Sequence, residues 1–529
     1  MRSVAGTTPV IRKSLLSVLV VLLTATAFVI RVQRLAGADG DLSVDEARLA
    51  LTSQGVLATG LPKVPSGRIY LRGVISTYLM APSLWLFGPH DFAARLPSAV
   101  VGALLIPLVF AFGRAVAGTA GGLCAAVFVA VQPDLIKWSD NAWMSSLFVL
   151  VFVGTAYLLY WGYGDDRSSM QLAGGVGFVL ALLVHELAVL LPMAVLATLA
   201  IREVRGEGGW FTGPRSGVAL LTLGFGMVLF VALGLFLRMG TIAGPTSEFR
   251  AYLISPLTLD RVHFYYERLL SDHPLLLATA AGGILVWLRS PKMGILFLYM
   301  TLAVPIVILG FFIAYVPQER YGIILLPLLA IIAAWAIAEG MRLVTDRLTI
   351  NPAAARALPP IVLVLVFGLS VQGDLRAAVY PDDPPVQTWL TVFRTLNPAS
   401  DDLVLTDVPT IVAFYLGRAD YWARVENYKR YGYIEGDVVR ELYTGAVRVS
   451  SERDFQEVVE ANPGRKLWYV GHLRRFRHSA YVPPSLRDRL LRTAQVSRRV
   501  LGDMAGDERI RDDWVILRID LGAQDLKRR

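Results

Sequence analysis

The chain has 529 residues, 55% of them hydrophobic and only 18% charged, with a mean hydropathy of +0.53, which excludes an ordinary soluble domain and describes a membrane protein. Its 51 Lys and Arg against 42 Asp and Glu leave a net charge of +9, a modest excess in the first part and a nearly neutral tail rather than the concentrated basic patch or stripe of a nucleic-acid binder. The single cysteine, Cys124, excludes an intramolecular disulfide and a cysteine-based zinc site.

Charge divides the chain in two. Residues 1–372 carry 26 basic and 19 acidic side chains, whereas the much shorter 373–529 carries 25 and 23. A transmembrane domain over 1–372 and a soluble α/β domain over 373–529 follow. Eleven apolar runs approach the length of roughly 20 residues that a helix needs to cross a bilayer core. They cover about 14–31, 97–113, 119–133, 144–161, 171–184, 187–201, 218–237, 274–288, 293–313, 321–340 and 358–372. The first follows Arg12-Lys13 and precedes Ala36-Gly37-Ala38, as a secretory signal would, but its run from Ser14 to Ile30 exceeds a signal core and reads as a retained helix.

Lysine and arginine near helix ends stay on the cytoplasmic side. An inside N-terminus places Arg114, Arg167, Arg202, Arg205, Arg215, Arg289, Lys292, Arg342 and Arg347 inside as well. An odd number of spans then sends the C-terminal domain outside, as expected of an envelope protein of a bacterial inner or plasma membrane. The first outer loop, 32–95, contains an apolar piece, 74–88, interrupted by Pro82 and carrying Tyr78 and Trp85, which reads as a helix lying along the interface. In the tail, Asp402 to Asp407 and Lys466 to Gly471 are short apolar runs with the pattern of buried strands, and a last strand falls near Trp514 to Ile519. Helical segments at 409–417 and 452–461 lie between the first two.

Charged side chains beside or within a membrane are costly unless they serve a cavity. Asp45 and Glu46 open a stretch that forms a helix, where acids complement the N-terminal dipole; a carboxylate at this depth also suits a base that takes a hydroxyl proton. Arg68, Tyr70 and Arg72 alternate onto one face if extended, giving either a phosphate clamp or an interfacial belt. Asp134, Lys137, Asp140 and Asn141 line the second outer loop, as a cavity wall or a solvated turn. His185-Glu186 lacks the second histidine of a zinc motif, because position 189 is Val, and reads as a hydrogen-bonded pair. Pro317-Gln-Glu319-Arg320-Tyr321 carries a cation that needs either Glu319 or a ligand phosphate. All these clusters fall on the outer side of the proposed topology.

The stretch Val44-Asp-Glu-Ala47, Thr59-Gly-Leu-Pro62, Tyr70-Leu-Arg-Gly73, Leu86-Phe-Gly88, Phe92-Ala-Ala-Arg-Leu-Pro-Ser98 and Gly113-Arg114, with a later echo at Glu319-Arg-Tyr321 and Leu325-Leu-Pro-Leu-Leu329, resembles the GT-C superfamily of polytopic glycosyltransferases. In particular it is similar to the branch of dolichyl-phosphate-mannose protein mannosyltransferases and aminoarabinose transferases. The resemblance covers roughly residues 14–340 and implies a catalytic carboxylate at Asp45, with Glu46 adjacent, and lipid-phosphate contacts at Arg72 and Arg320; Tyr321, Arg68 and Tyr70 are further candidates for the phosphate. Asp140, His185, Glu186 and Glu319 would line the cavity. Where relatives carry Lys-Pro or His-Pro after the first loop, this chain has Arg72-Gly73.

The implied reaction moves a sugar from a polyprenyl-phosphate carrier to an acceptor hydroxyl on a glycan, lipid or protein, by a single displacement with inversion and Asp45 as base. The lipid-linked sugar phosphate is the donor substrate, and neither a cofactor nor a metal is expected. The expectation requires Asp45 and Arg320 to serve one donor headgroup. A lipid-linked-sugar flippase and a non-catalytic envelope scaffold are the rival readings; the chain lacks a Walker loop and the internal repeats of many transporters. The topology makes a direct prediction. Protease added outside sealed, right-side-out vesicles cleaves within 373–529, and protection of that segment contradicts the assignment.

Overall fold

The computed structural model describes residues 8–36, 42–164, 167–206, 270–311, 319–347, 351–371, 398–500 and 514–521, together with 224, 226, 228, 264, 267 and 396. The apolar runs of residues 1–372 that are described become helices. They are α1 (Thr8–Ala36), α2 (Val44–Thr59), α3 (Val74–Phe87), α4 (Asp91–Val131), α5 (Pro133–Ser139), α6 (Ser145–Gly164), α7 (Ser168–Val184) and α8 (Leu190–Val204), then α9 (Pro274–Arg289), α10 (Met293–Phe311), the single turn α11 (Glu319–Gly322), α12 (Leu325–Arg347) and α13 (Pro352–Val371). Among the described residues six stretches are long and apolar enough to cross a membrane, and α3, α7, α9 and α10 are shorter apolar helices. The expected span at 218–237 lies outside the described residues, apart from 224, 226 and 228. Leu15, Val18, Leu22, Val364 and Leu365 are exposed on α1 and α13, as lipid-facing positions of a membrane protein are.

The described residues divide into two compact units, one drawn from Met1–Gln33, Ser98–Met239 and Ala243–Asp382, the other from Arg34–Pro97, Gly240–Ile242 and Asp383–Arg529. Hydropathy separates the chain near residue 372, whereas packing places residues 34–97 in the same unit as the C-terminal segment. Ser66 of this stretch donates its N–H to the Tyr443 carbonyl at 2.9 Å.

The first unit is a helical bundle held by close backbone approach. The two predicted spans 97–113 and 119–133 both fall within α4, which is broken at Gly118, whose φ of 76° and ψ of 179° are not helical. In a straight helix Gly113 and Gly122 would stand about 13 Å apart. A Cβ built on Gly113 meets the Cα of Gly122 at 2.9 Å, so the chain reverses between them. Small residues do the same between helices: Gly174 of α7 rests on Leu159 of α6, and Gly283 of α9 on Ala336 of α12. Within α1, Arg31 is fully buried. Its guanidinium donates to Ser139 Oγ at 3.2 Å and to the carbonyls of Ala130 at 3.3 Å and Val129 at 3.5 Å. A cation at the carbonyl end of a helix is favoured by the dipole, which explains how α1 tolerates a charge.

The second unit joins α2 and α3 to an eight-stranded mixed sheet in the order β3-β4-β5-β2-β1-β6-β8-β7. Its strands are β1 (Leu403–Thr406), β2 (Tyr421–Ala423), β3 (Gly432–Glu435), β4 (Val438–Glu441), β5 (Val447–Val449), β6 (Lys466–His472), β7 (Ala494–Val500) and β8 (Trp514–Asp520). The strands expected at 402–407, 466–471 and 514–519 are therefore present, as are the helices Pro409–Leu416 and Glu452–Ala461. Strand β1 lies between β2 and β6 and is parallel to both. Leu405, Phe455, Leu467, Tyr469, Leu486, Leu490 and Leu517 pack the core. The apolar piece expected at 74–88 is helical as α3, with Trp85 76% exposed and Tyr78 Oη donating to the Gly60 carbonyl at 2.8 Å.

His472, the last residue of β6, is buried against Trp514, with ring centroids 4.1 Å apart. Burial, and then the nearby Arg475, hold its imidazole well below the usual histidine range. In the unfolded chain it takes a proton near pH 6.5, so below that pH the unfolded state binds more protons and stability falls as pH falls. The loss approaches about 1.4 kcal/mol per pH unit below roughly pH 6. The protection factors of the β6 and β8 amides, that is, exchange corrected for its intrinsic pH dependence, are expected to fall by about tenfold between about pH 7.5 and 5.5, and His472→Gln removes that fall.

Candidate active site

Adjacent helix positions point about 100° apart, so neighbouring carboxylates on one helix cannot share an environment. At the start of α2 this separates Glu46 from Asp45. Glu46 completes a capping box: its N–H donates to Ser43 Oγ at 3.3 Å, and its Oε2 accepts the Ser43 N–H at 2.8 Å. Arg95 donates to the same carboxylate, Nε to Oε1 at 2.9 Å and Nη2 to Oε2 at 3.3 Å. The Glu46 side chain is 0% exposed and that of Arg95 3%, so this carboxylate is sealed. Asp45 is 33% exposed and accepts from Arg48 Nη1 at 3.0 Å.

Arg48 lies over the Tyr443 ring, 4.4 Å from its centroid. Burial works against its charge, but Tyr443, Asp45, Tyr70 and Glu441 together outweigh it and hold the guanidinium above its ordinary value. Further along the loop, Lys63 and Ile69 form an antiparallel bridge around a turn at Gly67, whose φ of 81° favours glycine. Arg68 is thereby carried over the Tyr433 ring at 3.9 Å, and Tyr70 is buried edge-on to Tyr443 at 5.8 Å. Burial pushes the Tyr70 phenol up, so it stays protonated. Arg72, partly exposed, lies within electrostatic reach of Tyr70 at the turn into α3.

The other unit holds a separate group. His185 ends α7, and its Nδ1 accepts the Leu187 N–H at 3.1 Å, which caps the 3-10 turn Glu186–Val189. A nitrogen that accepts carries no proton, so Nε2 is the donor of the neutral ring. Glu186 Oε2 stands 3.4 Å from Nδ1, an electrostatic neighbour rather than the acceptor of that proton. The His185 ring contacts Phe148 at 5.0 Å and Tyr321 at 5.9 Å. Arg320 lies 5.5 Å from the Trp143 ring and 5.6 Å from that of Tyr321. Glu319 opens the helical turn that carries both. Asp140 closes α5, its N–H bonded to the carbonyls of Ile136 and Lys137, and it interacts electrostatically with Arg31.

The structure thus gathers Asp45, Glu46, Arg68, Tyr70 and Arg72 in one unit and Asp140, His185, Glu186, Glu319, Arg320 and Tyr321 in the other. Sequence reading gave no role to Arg48, Arg95, Trp143 or Tyr443. Arg48 was visible as the residue one turn after Asp45, and Arg95 as a charge at the edge of an apolar run; Trp143 and Tyr443 gave no local signal. Among the described residues no three His, Cys, Asp or Glu side chains gather as metal ligands.

Removing one partner of a buried ion pair strands the other. Arg95→Met is therefore expected to cost about 3–5 kcal/mol, read as a lowered melting temperature in detergent. Replacing both residues by apolar ones recovers part of that loss.

Residues 72–233 match the family described as dolichyl-phosphate-mannose-protein mannosyltransferase. The fold matches ArnT from Cupriavidus metallidurans in the apo state, with a TM-score of 0.61 and 14% identity over 94% of this chain and 98% of that one. The same protein bound to undecaprenyl phosphate gives 0.61 and 15% over 94% and 97%. The archaeal oligosaccharyltransferase AglB from Archaeoglobus fulgidus, in complex with an inhibitory peptide and a dolichol-phosphate, gives 0.56 and 12% over 86% and 69%. No curated protein matches the chain. At these identities the shared property is the fold, and it is the GT-C fold.

Proposed function

We propose that this chain, an integral membrane protein with the GT-C fold, is a glycosyltransferase that moves a sugar from a polyprenyl-phosphate carrier to an acceptor hydroxyl on the outer face of the membrane. The observation that carries the reading is the division of labour at the start of α2, where Glu46 is sealed by Arg95 and Asp45 stays accessible beside Arg48. The undecaprenyl phosphate and dolichol-phosphate bound by proteins of like fold support a lipid-phosphate donor.

In the displacement the acceptor oxygen attacks the anomeric carbon while Asp45 takes its proton. The bond from that carbon to the phosphate oxygen breaks, and the electron pair leaves with the polyprenyl phosphate. Phosphate leaves readily once its charge is met, so guanidinium groups serve it better than an acid. Arg320, held against Trp143 and Tyr321, and Arg72 have that chemistry. The alcohol is the harder partner, and a positioned general base contributes about 10²–10⁴-fold. Helix α3, with its exposed Trp85, lies along the interface and guides the lipid tail.

The test incubates the purified protein with a panel of polyprenyl-phosphate sugars. Asp45→Asn is expected to lower transfer by about 10²-fold or more while donor binding persists. Arg320→Gln weakens donor binding. Equal turnover by Asp45→Asn removes that carboxylate from the mechanism.

A further inference from the structure

The carboxylate assigned as base is not fixed by α2 alone. Its partner Arg48 donates through Nη1 to Asp45, while Nε of Arg48 is buried without an acceptor among the described residues. The guanidinium is therefore held by one hydrogen bond and by its stack on Tyr443, 4.4 Å from the ring centroid. A stacked arginine keeps its charge and spends few of its donors on the ring, so the stack aims the fork at whatever anion stands beside it.

Tyr443 belongs to the turn between β4 and β5, and that turn is unusually well tied. Glu441 Oε2 accepts from the N–H of Tyr443 at 3.0 Å, from the N–H of Thr444 at 2.7 Å and from Thr444 Oγ1 at 2.7 Å. Ser66, from the first outer loop, donates its N–H to the Tyr443 carbonyl at 2.9 Å and its Oγ to the Leu442 carbonyl at 2.7 Å. Tyr70 closes the far edge of the Tyr443 ring at 5.8 Å. The ring that carries Arg48 is thus anchored on three sides, and two of those anchors come from the loop that follows α2.

We propose that Tyr443 of the C-terminal domain is a positioning residue for the reaction, acting through Arg48 to set the orientation and basicity of Asp45. The C-terminal domain then takes part in catalysis through this contact. The proposal rests on the reading of Asp45 as the base. A cation beside a carboxylate favours its charged form, so a well-aimed Arg48 keeps Asp45 ready to accept a proton at lower pH, and a loosened Arg48 does not. The titratable groups that face Arg48 are Asp45, Tyr70, Tyr443 and Glu441, and Arg72 is a further neighbour of Tyr70. Burial raises the Glu441 carboxyl against the hydrogen bonds of Thr444 and Tyr443 and the charge of Arg48, and burial pushes the Tyr70 phenol up, so that phenol supplies no competing charge near neutrality.

The experiment uses the full-length protein in detergent, with Cys124→Ser removing the native thiol and Asp45→Cys placing one beside Arg48. The alkylation rate of that thiol against pH gives its pKa without any need for turnover. It is expected to lie below the ordinary value of about 8.5, and Arg48→Met sets the upper limit. Tyr443→Leu is expected to raise it by about half a unit to one unit, while Tyr443→Phe, which keeps the ring, leaves it in place. Size-exclusion elution and melting temperature confirm that each variant is folded. In the Asp45 enzyme, Tyr443→Leu moves the acid limb of the transfer profile upward and lowers kcat about tenfold, with little change in the KM for donor. A thiol pKa that rises with Arg48→Met but not with Tyr443→Leu overturns the proposal, as does an equal rise in the Phe and Leu variants, which would assign the effect to the phenol hydroxyl. Full transfer by Asp45→Asn instead sinks the base assignment, a result read separately from the thiol titration.

Discussion

The ion pair between Glu46 and Arg95 fixes the start of α2, and the candidate base depends on it. A carboxylate and a guanidinium withdrawn from water repay their desolvation only with good geometry and with the remaining lone pairs satisfied. Here Arg95 reaches both oxygens and the Ser43 N–H takes another lone pair, so the pair is complete. Because Glu46 is locked, the rotation of α2 is set, and the residue before it must face elsewhere. Asp45 is offered outward for that reason, and two adjacent acids acquire two roles.

The same contrast separates holding from reacting among the basic residues. Arg31 is spent on backbone carbonyls at the end of α4 and on Ser139, and Arg95 on Glu46. Arg48 lies against the Tyr443 ring, and a ring leaves a guanidinium its charge and most of its donors. Side chains of this second kind suit a substrate phosphate or the steering of a neighbouring carboxylate. The division follows from hydrogen-bond chemistry: an arginine that donates its full fork to protein has little left for a ligand.

Much of the architecture was legible because membranes and sheets impose strong patterns. The apolar runs of α1, α6 and α12 could hardly be anything but helices, and the buried strands at 403–406 and 466–472 announced themselves by short apolar runs between turn residues. Reversal within α4 was read from the gap between two runs, and the structure places Gly118 there. Asp45 and Glu46 were found as a pair, but their separation was not visible, since it depends on Arg95, 49 residues along the chain. Tyr443 lies farther still from Arg48, and no local pattern links a strand turn to a loop helix. The alternation of Arg68, Tyr70 and Arg72 suggested a shared face, whereas Tyr70 is buried against Tyr443 and Arg68 against Tyr433. Periodicity specifies which way a backbone presents its side chains, and only the fold decides what covers them.

The central claim is that one of two neighbouring carboxylates is available to chemistry and the other is not. Carbodiimide coupling of the native protein to a small amine, followed by peptide mass spectrometry, reads each acid directly. Asp45 is expected to be modified and to be shielded by added polyprenyl phosphate, with Glu46 unmodified until the protein unfolds. Modification of Glu46 as readily as Asp45 in the folded protein, or labelling of Asp45 that is indifferent to the lipid phosphate, would contradict the account.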